Sequence, residues 1–182
     1  MIDRYICLEA DDTSLILDCQ IGGRPNIVYW GRRLNNIDPG LLKQLATRQH
    51  APGGTDIDLE SSLLNETGTG FAGLSGLSAH RAGRDWASLF IVKNVEQHSE
   101  HDATITCHSE NSHIEATHTI KINPDSGVVT FETEIANQGK DDLHLDWCTP
   151  ACLPLAATEN RRLGFTGKWA NEFQVEEIPE FT

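Results

Sequence analysis

The sequence has no apolar run approaching the roughly 20 residues that a membrane-spanning helix needs. It also lacks a Lys/Arg-rich run: 14 basic residues stand against 27 acidic ones, a net charge of -13. A chain so acidic repels phosphate backbones and anionic lipid heads, so neither nucleic acid nor membrane is an expected partner. The N-terminus, MIDRYICLEADD, has no basic start followed by an apolar stretch, which points to the cytoplasm. Five scattered cysteines, Cys7, Cys19, Cys107, Cys148 and Cys152, make an odd set better suited to free thiols than to a disulfide framework. What is present is 182 residues, 38% of them apolar and gathered in short runs. That is enough for one domain with its own core.

Those runs have the period and length of strands. Tyr5 to Leu8, Leu15 to Cys19 and Ile27 to Trp30 form a three-stranded antiparallel start, with Gly22, Gly23 and Pro25 as turn material. Asp38 and Pro39 fit an N-cap and first helical residue, predicting one short helix near 38–48 with Leu41, Leu42 and Leu45 on one face. From His50 to Gly83 the chain is polar and glycine-rich, a long loop that Leu63, Leu64, Phe71, Leu74 and Leu77 would pin to the core. Strands then resume over Leu89–Val95, Ala103–Cys107, Ile114–Ile122, Val128–Ile135, Leu143–Leu155 and Leu163–Phe173, with turns at Asn123–Gly127 and Asn137–Lys140. The predicted fold is all-β, an antiparallel β-sandwich.

Chemical motifs are scarce. In the stretch LDWCTPACLPL, Leu145 to Leu155, alternation sets Leu143, Leu145, Trp147, Ala151, Leu153 and Leu155 as a core row, with Cys148 and Cys152 facing away. Residues four apart in a strand lie about 13 Å apart at ~3.3 Å per residue, too far for a disulfide, and a lone C-x3-C has no second pair for a zinc site. His98, His101, His108, His113 and His118 crowd one region, but His113 and His118 fall on opposite faces of a strand, and solvated loop histidines are the expectation. A glycosidase needs two placed carboxylates, and 27 acids make pairs too easy to find for spacing to select one. Ser75 lacks the nucleophile-elbow pattern, and GTGFAG (Gly68 to Gly73) fits neither a Walker loop nor a dinucleotide fingerprint. No catalytic residue, metal ligand or cofactor is assigned. Tyr29, Trp30, Trp86, Trp147 and Trp169 offer sugar-stacking surfaces, but core positions are expected for most of them.

Four blocks in order, NIVYWGRRL (Asn26–Leu34), LLNETGTGFAGLSGLSAHRAGRDW (Leu63–Trp86), LDWCTPACLPL and GFTGKWANEFQ (Gly164–Gln174), together resemble the N-terminal β-supersandwich domain of glycoside hydrolase family 36 α-galactosidases. The resemblance implies a parent enzyme that removes terminal α-linked galactose from oligosaccharides such as melibiose and raffinose, with retention. It places the nucleophile and acid/base aspartates in a (β/α)8 barrel that follows this domain and is absent from residues 1–182. Lys168-Trp169 is followed by Ala170 and Asn171, not by an aspartate, so no catalytic role transfers. The family's sandwich runs past the point matching Thr182, which implies a partial domain with an unpaired sheet edge. In some members an aspartate and an arginine after the tryptophan strand reach sugar. The corresponding region here, Thr47 to Asp58, offers Arg48, His50, Asp56 and Asp58 as substrate-binding candidates, without a residue-by-residue match to that pair. The expected partners are the chain's own barrel domain, further copies of itself and galacto-oligosaccharide. The rival readings are a freestanding sugar-binding module and a metal-dependent enzyme built on the histidines.

Overall fold

The computed structural model describes residues 4–47, 61–71, 73–154 and 162–178. Its elements run β1 (Tyr5–Glu9), β2 (Thr13–Asp18), β3 (Asn26–Arg32), α1 (Pro39–Ala46), β4 (Leu77–His80), β5 (Ile91–Gln97), β6 (Asp102–Ser109), β7 (Ile114–Ile122), β8 (Val129–Asn137), β9 (His144–Cys148), β10 (Arg162–Lys168) and β11 (Asn171–Ile178). They form a four-stranded sheet β5-β6-β7-β8, a three-stranded sheet β1-β2-β3, and the pairs β4-β9 and β10-β11. Every pairing is antiparallel.

Alternation explains the layers. β6 and β7 bury every second residue, so Ala103, Ile105 and Cys107 pair beside Ile120, His118 and Ala116 on one face. That face meets Ile6 and Leu8 of β1 and Leu15 and Leu17 of β2, with Val92, Phe90, Leu63 and Leu64 closing the core. β1 packs directly across β6 and β7. The sandwich expected from the strand pattern is the fold observed.

Three differences from the sequence reading stand out. The glycine-rich stretch after residue 60 is partly structural: Leu63, Leu64 and Leu77 are buried as anchors, Leu74 is exposed, and Leu77–His80 forms β4. The expected strand Leu163–Phe173 is instead a hairpin, whose turn holds Ala170 at φ 64. Few residues other than glycine or asparagine adopt that conformation, so the sequence carries no turn signal there. The strand expected over Leu143–Leu155 spans only His144–Cys148. Pro150 and Pro154 lack the N–H a ladder needs, and the chain turns so that Thr149 N–H donates to the Gly76 carbonyl (2.8 Å) and Cys152 N–H to that of Leu63 (2.6 Å).

Helix α1 follows Asp38 and Pro39 as expected, but only Leu42 of its leucines is buried; Leu41 and Leu45 are exposed. It ends at Thr47, whose backbone N–H and hydroxyl both reach the Lys43 carbonyl.

Candidate functional site

The candidate substrate residues Arg48, His50, Asp56 and Asp58 lie outside the described residues. What the structure does bring together is the first and third sequence blocks. β3 pairs with β2 in a register that slips between Ile16↔Tyr29 and Leu17↔Ile27, displacing Val28 from the ladder. Ile27, Val28, Tyr29, Trp30 and Gly31 then line an open groove of about 500 Å³ whose other walls are Thr13, Gly127 and Pro154. Gly127 has φ 66 and closes the Asn123 turn, in which Asn123 Oδ1 accepts from the backbone N–H groups of Asp125 and Ser126.

Trp30 meets Phe131 of β8 edge to face at 6.0 Å and is 42% exposed. Tyr29 Oη donates to the Arg32 carbonyl at 2.7 Å, and Thr13 Oγ1 donates to Asp12 at 2.8 Å. An exposed indole beside satisfied polar groups suits stacking on a pyranose ring. Hydrolysis of a glycosidic bond commonly uses a pair of carboxylates, and among the described residues none lines this groove.

The other aromatics correct the expectation of core positions. Trp30, Trp86, Trp147 and Trp169 are all exposed. In the third block Leu145 and Trp147 are 51% and 49% exposed, whereas Cys148 and Ala151 pack against the core. Of the expected row, Leu143 and Ala151 do pack against the core, whereas Leu145, Trp147 and Leu153 are exposed and Cys148 turns inward, because β9 pairs with β4 across a bulge between Ser78 and Ala79 and ends at Cys148.

The histidines separate as alternation required. His118 is buried, His113 sits in a turn at φ 48, His98 Nε2 meets Thr104 Oγ1 at 2.9 Å, and His101 Nδ1 meets the Glu9 carbonyl at 2.7 Å. Among the described residues no three His, Cys, Asp or Glu groups are placed to hold a metal ion. His118 departs from the solvated expectation. Thr133 Oγ1 donates to the Pro150 carbonyl (2.6 Å), so it accepts from His118 Nδ1–H (2.7 Å), and the buried Nε2 is left unpaired. A second N–H there would have no acceptor, and burial pushes the His118 pKa down to about 4.

The cysteines are free thiols. Burial, followed by the charge of Glu66, pushes Cys107 up to about 12, and the same two causes raise Cys152. Thiols held neutral in this way are poor nucleophiles and poor metal ligands.

Two polar anchors escaped the sequence reading. Glu66 is buried and takes Arg24 at 2.6 Å and the Ser62 hydroxyl at 2.7 Å, tying the glycine-rich stretch to the β2–β3 connection. Arg81 is buried and donates to the carbonyls of Ser112 and His113 and to Asn137 Oδ1, fixing the β6–β7 and β8–β9 turns to β4. Apart from Ser62, these partners lie 31 to 56 residues away, beyond any local pattern.

The described residues thus form a β-sandwich that presents an aromatic-lined groove and several exposed tryptophans. The chain belongs to the glycosyl hydrolase family 36 N-terminal domain family, whose model matches residues 23–179. It is 26% identical over 178 residues to an α-galactosidase of Escherichia coli, a match covering 98% of this chain and 24% of that protein. In fold it is similar to the α-galactosidase of Lactobacillus brevis (TM-score 0.79, 14% identity, 97% of this chain and 27% of that one). It is equally similar to the family 36 α-galactosidase AgaA of Geobacillus stearothermophilus (TM-score 0.80, 14% identity, 98% and 28%). The chain thus spans about a quarter of the length of the relatives it matches.

Proposed function

We propose that this chain serves as the non-catalytic N-terminal domain of an α-galactosidase that hydrolyses terminal α-galactosides of oligosaccharides with retention. Family membership across residues 23–179 carries the reading, and the alignment with an α-galactosidase along nearly the whole chain supports it. Forms of AgaA have been crystallised with raffinose and with stachyose, which supports galacto-oligosaccharides as the substrate class. In this reading the chemistry belongs to the chain's own (β/α)8 catalytic domain. The β-sandwich, one domain over residues 1–182, buttresses that barrel, shapes its substrate entrance and supports homo-oligomerisation. Arg48, His50, Asp56 and Asp58 are the side chains we assign to the substrate entrance. Free thiols support a cytoplasmic, reducing location.

The 182-residue chain alone is expected to release no nitrophenol from nitrophenyl α-galactoside; measurable turnover overturns the reading. The exposed face of Trp30 beside the groove favours a second reading, a freestanding sugar-binding module. Calorimetry with raffinose separates the two: saturable heat that Trp30→Ala abolishes establishes the module, and no heat leaves the accessory domain.

A further inference from the structure

His118, Thr133 and Pro150 form a chain of hydrogen bonds that runs out of the core. His118 on β7 is 2% exposed; its Nδ1–H donates to Thr133 Oγ1 (2.7 Å), which donates in turn to the Pro150 carbonyl (2.6 Å). Pro150 sits in the bend Thr149–Cys152, which has two further holds, from Thr149 N–H to the Gly76 carbonyl and from Cys152 N–H to that of Leu63. Two residues past the bend, Pro154 forms a wall of the Trp30 groove. Through Thr133 the bend is held against β8, the edge strand of its sheet. On its other sides His118 meets continuous structure: β6 lies beside it, backed by β5, and β1 crosses the face.

No charge faces the ring. The ionisable groups packed on the core side of these elements are thiols, Cys107 of β6 with Cys148 and Cys152 at the bend, and burial keeps all three neutral. Glu66, which acts on Cys107 and Cys152, is taken by Arg24 and Ser62, and Asp18 of β2 is taken by Arg4. Asp102 and His108 of β6, Glu115 and Lys121 of β7, Glu132 and Glu134 of β8, and Cys7 and Glu9 of β1 alternate onto the opposite faces.

We propose that this chain of bonds is a proton-sensitive latch: a neutral His118 holds the Thr149–Cys152 bend, and with it the Pro154 wall of the groove, against β8, whereas a protonated His118 releases them while the two sheets stay packed. The cause is the number of partners. A neutral ring has one N–H, and Thr133 accepts it. A protonated ring has a second at Nε2, which is buried with no acceptor, and a buried charged donor without a partner is far more costly than a lost neutral hydrogen bond. Opening the bend exchanges three rim hydrogen bonds for bonds to water and gives the ring access to solvent. Separating the sheets would expose the whole core.

Amide hydrogen exchange of the 182-residue chain, followed residue by residue as pH falls from 6.5 towards 4 and corrected for intrinsic rates, tests this. The Thr149 and Cys152 amides should be less protected than those of Ala116 and Ile120 on β7, and should lose protection by about tenfold per pH unit, the limit for one linked proton. His118→Gln should abolish that dependence. At neutral pH, Thr133→Val should speed exchange at Thr149 and Cys152 about tenfold or more, and Thr133→Ser, which keeps the hydroxyl, should retain the parent rates. Should either His118→Gln or Thr133→Val fail to fold, the parent's pH series still decides. A flat profile at the bend overturns the latch, as does a slope that survives His118→Gln or a Thr133→Val chain with parent rates. Equal protection of bend and β7 amides at every pH would mean that His118 takes its proton on global unfolding, and overturns it too.

Discussion

Strand β7 and the β10–β11 ribbon both alternate apolar and polar residues, and they end in opposite environments. In β7 the series Ile114, Ala116, His118, Ile120, Ile122 is buried throughout, facing β1 and β2 across the sandwich. In the ribbon Phe165, Phe173 and Val175 form an equally apolar row and stay exposed. Alternation therefore reports which face of a strand is prepared for burial. Whether that face is covered depends on a second layer that the strand does not encode.

Substitution should bring that contrast out most strongly in the covered sheet. Ile105→Ala on β6, beside His118 in the ladder, removes a fully buried side chain from the close-packed interior and should cost about 2–5 kcal/mol of unfolding free energy in urea titration. A cost under 1 kcal/mol would show that the two layers are far looser than the burial implies.

The next effect is one of pH. His118 is neutral when folded, with its pKa down at about 4 against 6.5 for the free side chain, so between these values the unfolded chain binds a proton that the folded chain does not. Stability should be flat above pH 6.5 on this account and fall as pH drops from 6.5 to 4, by about 3 kcal/mol in all at ~1.4 kcal/mol per unit. His118→Gln should remove that part of the slope. An unchanged slope would assign the acid sensitivity to carboxylates.

The smallest effect belongs to the ribbon. Phe165→Ser, measured at dilutions where the chain is monomeric, should alter the unfolding free energy by no more than about 0.5 kcal/mol, as exposed positions do. A loss comparable to that of Ile105→Ala would mean the ribbon is covered within its own chain.

Much of the fold was legible because its information is local. β1, β2, β3 and β5 to β8 each lie on a short apolar run that alternates or clusters in the way of a strand, and Asp38-Pro39 marked the start of α1. β4 was hidden because Leu77–His80 sits among serines and glycines, with too few residues to show a period. The ribbon was hidden as a hairpin because Ala170 occupies the turn position where glycine or asparagine would have announced it. The groove was half legible: Tyr29 and Trp30 stood out as aromatics, but Pro154 and Gly127 join them only through the fold.

By itself the sequence determined the strand periods, the acidic surface and four blocks that mark the family, because each of these is written in neighbouring residues or in composition. Only the tertiary structure decided that Cys148 turns inward while Leu145 and Trp147 turn outward, that Glu66 takes Arg24 across 42 positions, and that His118 is held neutral between two layers. The physical reason is the same in each case. Burial and pairing of a polar group depend on what lies across the gap, and that neighbour is brought there by chain distant in sequence.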